Sequence, residues 1–122
     1  MVITGNVLIV EPDPTVASIW VEVAAFAGFA AEVVSRISDV RARPDVSALV
    51  VRISPGSTRA AIERRASHRP RLIALAADGL NEHELSDFDV VIPPDGQVRR
   101  LYTELRRLSA DADAPSRTDG MG

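Results

Sequence analysis

The stretch Val7-Leu8-Ile9-Val10-Glu11-Pro12-Asp13-Pro14 decides the fold of this chain. Its first four residues form a short, apolar, largely β-branched run, which is typical of a strand buried on both faces of a parallel sheet. Asp13 is a favourable helix N-cap, and Pro14 fits the first helical position, where its missing N–H costs nothing. The stretch therefore predicts a strand from Asn6 to Val10 that leads directly into a helix. Its carboxylates follow the carboxyl end of the strand, where open α/β sheets bind ligands.

The same alternation of strand and helix continues along the chain. Further apolar runs predict four more strands, at Ala30–Val34, Ala48–Ile53, Arg71–Ala76 and Val90–Ile92. Two helices are predicted from apolar residues at three- and four-residue spacing. The first has Gly28 as its C′ residue and carries the stripe Val16, Ile19, Trp20, Val23, Phe26 and Ala27. The last carries the stripe Val98, Leu101, Tyr102, Leu105 and Leu108. Weaker patterns predict helices at Ser38–Arg43, Thr58–Ser67 and Asp78–Asp87. This order predicts a parallel sheet with helices on both faces and right-handed crossovers.

Length and composition restrict the class of protein. A chain of 122 residues is expected to form one domain, here residues 1–109, followed by a flexible tail at 110–122 that is rich in Ser, Asp, Pro and Gly. The absence of cysteine excludes disulfides and thiolate chemistry, and a net charge of −3 does not favour nucleic-acid binding. We find no apolar run of membrane-spanning length and no secretory signal, so we expect a cytoplasmic protein.

The order of the motifs resembles that of response-regulator receiver domains, from about Asn6 to Leu108. The resemblance rests on Val7-Leu8-Ile9-Val10-Glu11, on the Pro55-Gly56 turn after the third strand, and on Asp89 to Pro94 before the last helix. It implies a three-layer, flavodoxin/CheY-like fold with a five-stranded parallel sheet in the order 2-1-3-4-5. It also implies a site in which two acidic residues and a phosphoacceptor aspartate hold Mg²⁺, while a hydroxyl residue and a lysine contact the phosphoryl group.

Four of these five positions lack the required chemistry in this chain. Glu11 matches the first acidic position, but Pro12 stands at the second. Counting back from the turn places Val51 at the acceptor position, and the neighbouring residues on either side are no better. The hydroxyl position falls on Ala76 and the lysine position on Pro93; all fourteen basic residues are arginines, so no realignment supplies a lysine. The resemblance therefore implies a degenerate pseudo-receiver that carries out no phosphoryl transfer, with no catalytic residue, metal or cofactor.

The charged residues near the first strand leave two interpretations open. Asp13 is better explained as a helix cap than as a metal ligand, because one carboxylate and water make a poor Mg²⁺ site. The guanidinium of Arg52 could turn toward Glu11 and replace the charge of a metal ion. Alternatively, Arg52 faces solvent at the end of its strand.

Other candidate sites are weak. His68 and His83 have no matching cluster of metal ligands, and Ser54-Pro55-Gly56-Ser57 lacks the residues of a phosphate loop or a nucleophile elbow, so it is interpreted as a turn. The arginines of the last helix are either a solvated face or part of a protein-binding surface. The residues of that possible interface are Arg99, Arg100, Tyr102 and Arg106.

Two classes of function follow from the sequence. The favoured class is a non-enzymatic, receiver-like module of bacterial two-component-type signalling. It would act through protein partners, with a possible homodimer through the face formed by the fourth predicted helix, the fifth strand and the last helix. The alternative is a small flavodoxin-like domain that binds an unrecognised ligand at the carboxyl ends of its strands.

Overall fold

The structure of the chain is a computed structural model that describes residues 5–36, 39–40, 46–53, 70–76 and 88–113. The described elements are the five predicted strands and the two strongest predicted helices. The strands are β1 (Gly5–Val10), β2 (Phe29–Val34), β3 (Val46–Arg52), β4 (Arg71–Leu75) and β5 (Val90–Ile92). The helices are α1 (Pro14–Phe26) and α2 (Gln97–Asp113). The predicted helices at Ser38–Arg43, Thr58–Ser67 and Asp78–Asp87 lie wholly or mostly outside the described residues, as do the turn at Ser54–Ser57 and both histidines.

The five strands form one sheet in the order β2-β1-β3-β4-β5, and every pairing is parallel. This confirms the order that the resemblance implied. The pairing of β1 with β3 has an irregularity at Asn6 and Val7, after which Val10 stands opposite Val51. The registers leave the carboxyl ends of β1, β3, β4 and β5 along one edge of the sheet.

Each face of the sheet carries a buried apolar cluster, because alternate side chains of a strand point to opposite faces. On one face the strands pack against α1 and α2 through Ile9, Val50, Ile73, Trp20 and Leu101. The cluster on the other face includes Leu8, Leu49, Val51, Ala74 and Phe88. Both clusters are shielded from solvent, which explains why the strands are apolar along most of their length instead of alternating with polar residues.

Helix α1 begins as predicted. The Asp13 carboxylate accepts hydrogen bonds from the backbone N–H groups of Thr15 at 2.9 Å and Val16 at 3.4 Å, and Asp13 itself has an extended backbone. Pro14 is the first helical residue. At the other end, Gly28 has a φ of 96°, the left-handed conformation that favours glycine after a helix.

The buried face of α1 differs from the predicted stripe. Trp20, Val23 and Ala27 are buried as expected, but Ile19 and Phe26 are exposed. The buried face instead includes the small residues Ala17 and Ala24. Small alanine side chains let the helix lie close to the sheet, while Ile19 and Phe26 stay on its outer side.

Helix α2 is longer than predicted. It continues to Asp113, so the part of the predicted tail from Ala110 to Asp113 is helical. The reason is that alanines are strong helix formers, and no glycine or proline occurs in the chain between Gln97 and Asp113. In the predicted stripe Leu101 and Leu105 are buried, whereas Val98 and Tyr102 are exposed.

Candidate functional site

The register of the sheet brings Glu11 and Arg52 together. Val10 lies opposite Val51 in the β1–β3 pair. The residues that follow them, Glu11 and Arg52, therefore also lie beside each other. Both side chains belong to the face that α1 covers, since they follow Ile9 and Val50 by two residues. We call the group formed by Glu11, Arg52 and Trp20 the β1–β3 corner.

Three donors surround the buried carboxylate of Glu11, which is 2% exposed. Arg52 Nε lies 2.6 Å from Glu11 Oε1 and forms an ion pair with it. The indole Nε1–H of Trp20 donates to the same oxygen at 3.1 Å, and the backbone N–H of Asp13 donates to Oε2 at 3.2 Å. The sequence left two interpretations of Arg52 open. In the structure its guanidinium pairs with Glu11, as the first interpretation proposed.

A buried charge is tolerated only when it is paired and hydrogen-bonded. The guanidinium supplies the positive charge beside Glu11, and its side chain stays 30% exposed. Because both charges are held within one short contact, the β1–β3 corner carries no net charge from this pair. The arrangement fixes the carboxylate with respect to β1, β3 and α1 at once.

Val51 does not contribute to this corner, although counting from the turn placed the acceptor position there. Its side chain is fully buried in the cluster on the opposite face of the sheet. Arg52 is the β3 residue that reaches Glu11. Neither a valine nor an arginine side chain contains an oxygen atom, so neither Val51 nor Arg52 can accept a phosphoryl group.

The other degenerate positions lie along the same edge of the sheet. Pro12 is exposed beside Glu11, while Ala76 is buried just after β4. Pro93 follows β5 directly. None of the three side chains has a polar atom, so none can serve as a metal ligand or contact an anion through its side chain.

The side chain of Gln97 bridges the carboxyl ends of β4 and β5, a contact that was not predicted from the sequence. Its side-chain amide donates to the backbone carbonyl of Ala76 at 2.7 Å and to that of Ile92 at 3.2 Å. An amide residue at the start of a helix is too common a feature to have indicated this role. The contact ties the first turn of α2 to the ends of two strands.

Asp13 serves as the helix cap in the structure, as described above, and its carboxylate is turned to the backbone N–H groups of the first turn of α1. Among the described residues there is no group of three or more His, Cys, Asp or Glu side chains that could hold a metal ion. Nor do they include a helix long and apolar enough to cross a membrane.

The candidate interface residues of α2 fall on two sides of the helix. Arg99 and Arg100 line a groove against β5 together with Val90, Val91 and Ile92. Tyr102 lies in a second groove, between α1 and α2, and Arg99 contributes to both. Arg106 is exposed further along the helix. The structure therefore does not collect all four residues on the face beside β5.

Solved structures with the same fold are receiver domains and related proteins. A CheY-like receiver domain from Methylobacillus flagellatus matches with a TM-score of 0.68 and 18% identity, over 85% of this chain and 98% of that chain. The receiver domain of a signal transduction histidine kinase from Syntrophus aciditrophicus matches with a TM-score of 0.65 and 19% identity, over 93% and 96% of the two chains. A protein from Burkholderia thailandensis assigned to pilus assembly (CpaE) matches with a TM-score of 0.66 and 14% identity, over 90% and 99%.

These comparisons establish the fold class. No protein-family model matches the chain, and no curated protein matches it. The chain has the CheY-like, flavodoxin-type fold of receiver domains, with its five parallel strands in the expected order.

Proposed function

We propose that this chain is a receiver-like signalling module that is not phosphorylated and that acts through contacts with other proteins. Its setting is a phosphorelay-related, two-component-type pathway in the bacterial cytoplasm. The observation that carries the proposal is the position of Arg52, whose guanidinium occupies the space beside Glu11. A working receiver needs a divalent cation and an acceptor carboxylate in that space.

The chemistry of phosphoryl transfer supports the proposal. Transfer depends on positioning and on positive charge that neutralises the moving phosphoryl group. Mg²⁺ requires oxygen ligands, and of the four other matched positions none offers a side-chain oxygen: Pro12, Val51, Ala76 and Pro93. A guanidinium already paired with Glu11 would also repel an arriving divalent cation.

The alternative, a ligand site at the carboxyl ends of the strands, is less well supported by the described geometry. The β1–β3 corner is filled by the side chains of Glu11, Arg52 and Trp20, and Gln97 covers the ends of β4 and β5. Two grooves that are lined only by described residues lie beside α2. Surfaces of this kind favour protein contact over the enclosure of a small molecule.

The structural neighbours include signalling domains and a protein assigned to pilus assembly. Both groups share the fold with this chain at low sequence identity. We propose the signalling setting because most of these neighbours are receiver domains, and the role in protein contact applies in either setting.

Incubation with acetyl phosphate and Mg²⁺, followed by intact-mass measurement, tests the loss of phosphorylation. We expect no added phosphoryl group, while an active receiver treated in parallel gains one. The chain has no lysine, so acetylation of lysine side chains cannot obscure the result. A stable, Mg²⁺-dependent phosphoryl adduct would refute the proposal.

The single tryptophan offers a second measurement on the same sample. Trp20 donates a hydrogen bond to Glu11, so a cation bound at that carboxylate would displace Arg52 and change the environment of the indole. We expect the emission of Trp20 to be the same with Mg²⁺ as with an equal ionic strength of NaCl. A saturable change with Mg²⁺ alone would show that the corner binds the metal.

A further inference from the structure

The two described helices expose apolar side chains next to each other. Phe26 is 75% exposed at the end of α1, and on α2 Val98 is 50% and Tyr102 40% exposed. Together with Val23 and Arg99 they line a groove of about 380 Å³, which we call the α1–α2 groove. Single exposed apolar residues are common on proteins, but a group of three around one groove is typical of a binding surface.

The charges beside this groove differ between the two helices. On α1, Glu22 lies between Ile19 and Phe26 at helical spacing, so the outer face of α1 is apolar with one acidic residue. On α2, Arg99 and Arg106 flank Tyr102 at three- and four-residue spacing. Among the described residues, neither Glu22 nor either of these arginines forms an ion pair.

We propose that a second copy of this chain binds the α1–α2 groove and forms a two-fold symmetric dimer. A two-fold contact needs a surface that is complementary to itself. Here Phe26 protrudes at the border of the α1–α2 groove, so Phe26 of each copy can enter the groove of the other copy. When the two copies are arranged so that α1 of each faces α2 of the other, Glu22 lies opposite the side of α2 that carries Arg99 and Arg106.

This dimer uses a different face from the one expected from the sequence, which combined the fourth predicted helix, the fifth strand and the last helix. The β5 side of α2 also has a groove, which is lined by Val90, Val91 and Ile92 of the edge strand and by Arg99, Arg100, Thr103 and Glu104 of α2. Among the residues that the structure describes, no aromatic side chain lines that groove, so it has no anchor comparable to Phe26. The inference does not depend on the loss of phosphorylation, so the two proposals can fail separately.

Sedimentation velocity of the full chain, from low micromolar to near-millimolar concentration, tests the dimer. We expect a concentration-dependent monomer–dimer equilibrium. The Phe26→Asp variant should raise the dissociation constant at least about thirtyfold, the effect of losing a central anchor. The matched control is Val91→Asp, which introduces the same charge at an exposed residue of the β5 groove and should leave the equilibrium unchanged. Circular dichroism of each variant establishes that it is folded.

A charge exchange tests the orientation of the two copies. Arg99→Glu should weaken the dimer about fivefold, and adding Glu22→Arg to the same chain should restore most of the affinity. A chain that stays monomeric at all concentrations would overturn the inference, and so would a dimer that tolerates Phe26→Asp. Dissociation by Val91→Asp instead would assign the contact to the β5 face and would equally refute this proposal.

Discussion

Replacement of Arg52 by alanine is expected to destabilise the fold well beyond the loss of an ordinary surface ion pair. In the variant the Glu11 carboxylate stays buried but loses the guanidinium at 2.6 Å. It keeps two neutral donors, the Trp20 indole and the backbone N–H of Asp13. The variant thus leaves a charge inside the protein without its counter-charge.

The magnitude follows from the burial of the two partners. Breaking a buried ion pair by removing one partner costs about 3–5 kcal/mol. A value below this range applies here, because Arg52 is 30% exposed and the two remaining donors stabilise Glu11. We therefore expect the free energy of unfolding to fall by about 2–3 kcal/mol and the melting temperature to fall by roughly 10 °C in a domain of this size.

Urea denaturation followed by circular dichroism and by Trp20 fluorescence measures this change. Arg36→Ala is the matched control, because Arg36 forms an ion pair with Asp39 at 3.7 Å in which both side chains are exposed, and its loss should cost at most about 0.5 kcal/mol. In a double-mutant cycle with Glu11→Gln, the double variant should lose about 1–2 kcal/mol less free energy of unfolding than the sum of the two single losses, since both changes remove the same contact. Equal stabilities of Arg52→Ala and Arg36→Ala would refute the reasoning.

Three further predictions concern the described helices. Gln97→Ala should lower the free energy of unfolding by about 1–2 kcal/mol, because it leaves the carbonyls at the ends of β4 and β5 without this donor; a loss no larger than that of Thr103→Ala, which removes an exposed hydrogen bond, would contradict this. Asp13→Ala should cost about 1 kcal/mol through the lost cap, and Asp13→Asn should recover most of it; equal unfolding curves of the two variants would exclude capping as the cause. Leu105→Ala should cost about 2–5 kcal/mol, since that side chain is fully buried, whereas Phe26→Ala should leave the stability of the monomer nearly unchanged; the same thermal shift for both would show that Phe26 is packed in the monomer.

The strands and the start of α1 could be predicted from the sequence because they depend on local patterns. The run from Val7 to Val10 is apolar at every position, and the Asp13-Pro14 pair fits the first two positions of a helix. Such signals need no knowledge of neighbouring strands. The ion pair between Glu11 and Arg52 does need that knowledge, because the register of β1 against β3 decides which β3 side chain reaches the carboxylate.

The exposed face of α1 could not be predicted for a different reason. Its sequence contains so many apolar residues that several faces of the helix are hydrophobic enough to be buried. The face that is inside carries the small side chains of Ala17 and Ala24, both buried, and small side chains let a helix pack closely against a sheet. Phe26 is left on the outside, and this is how the α1–α2 groove arises.

The β1–β3 corner also bears on how the proposed signalling module could respond to a signal. A ligand that moves a two-state protein from almost entirely one state to almost entirely the other must bind one state more tightly by about 5.5 kcal/mol. The stability lost on removing the Arg52 side chain, about 2–3 kcal/mol, is about half of that. If this protein has two such states, a change confined to the ion pair would be too small to switch it, and contacts formed in only one of the states would have to supply the rest. A partner or a second copy bound along α1 and α2 would supply such contacts, and the hydrogen bond from Trp20 of α1 to Glu11 links that helix directly to the corner.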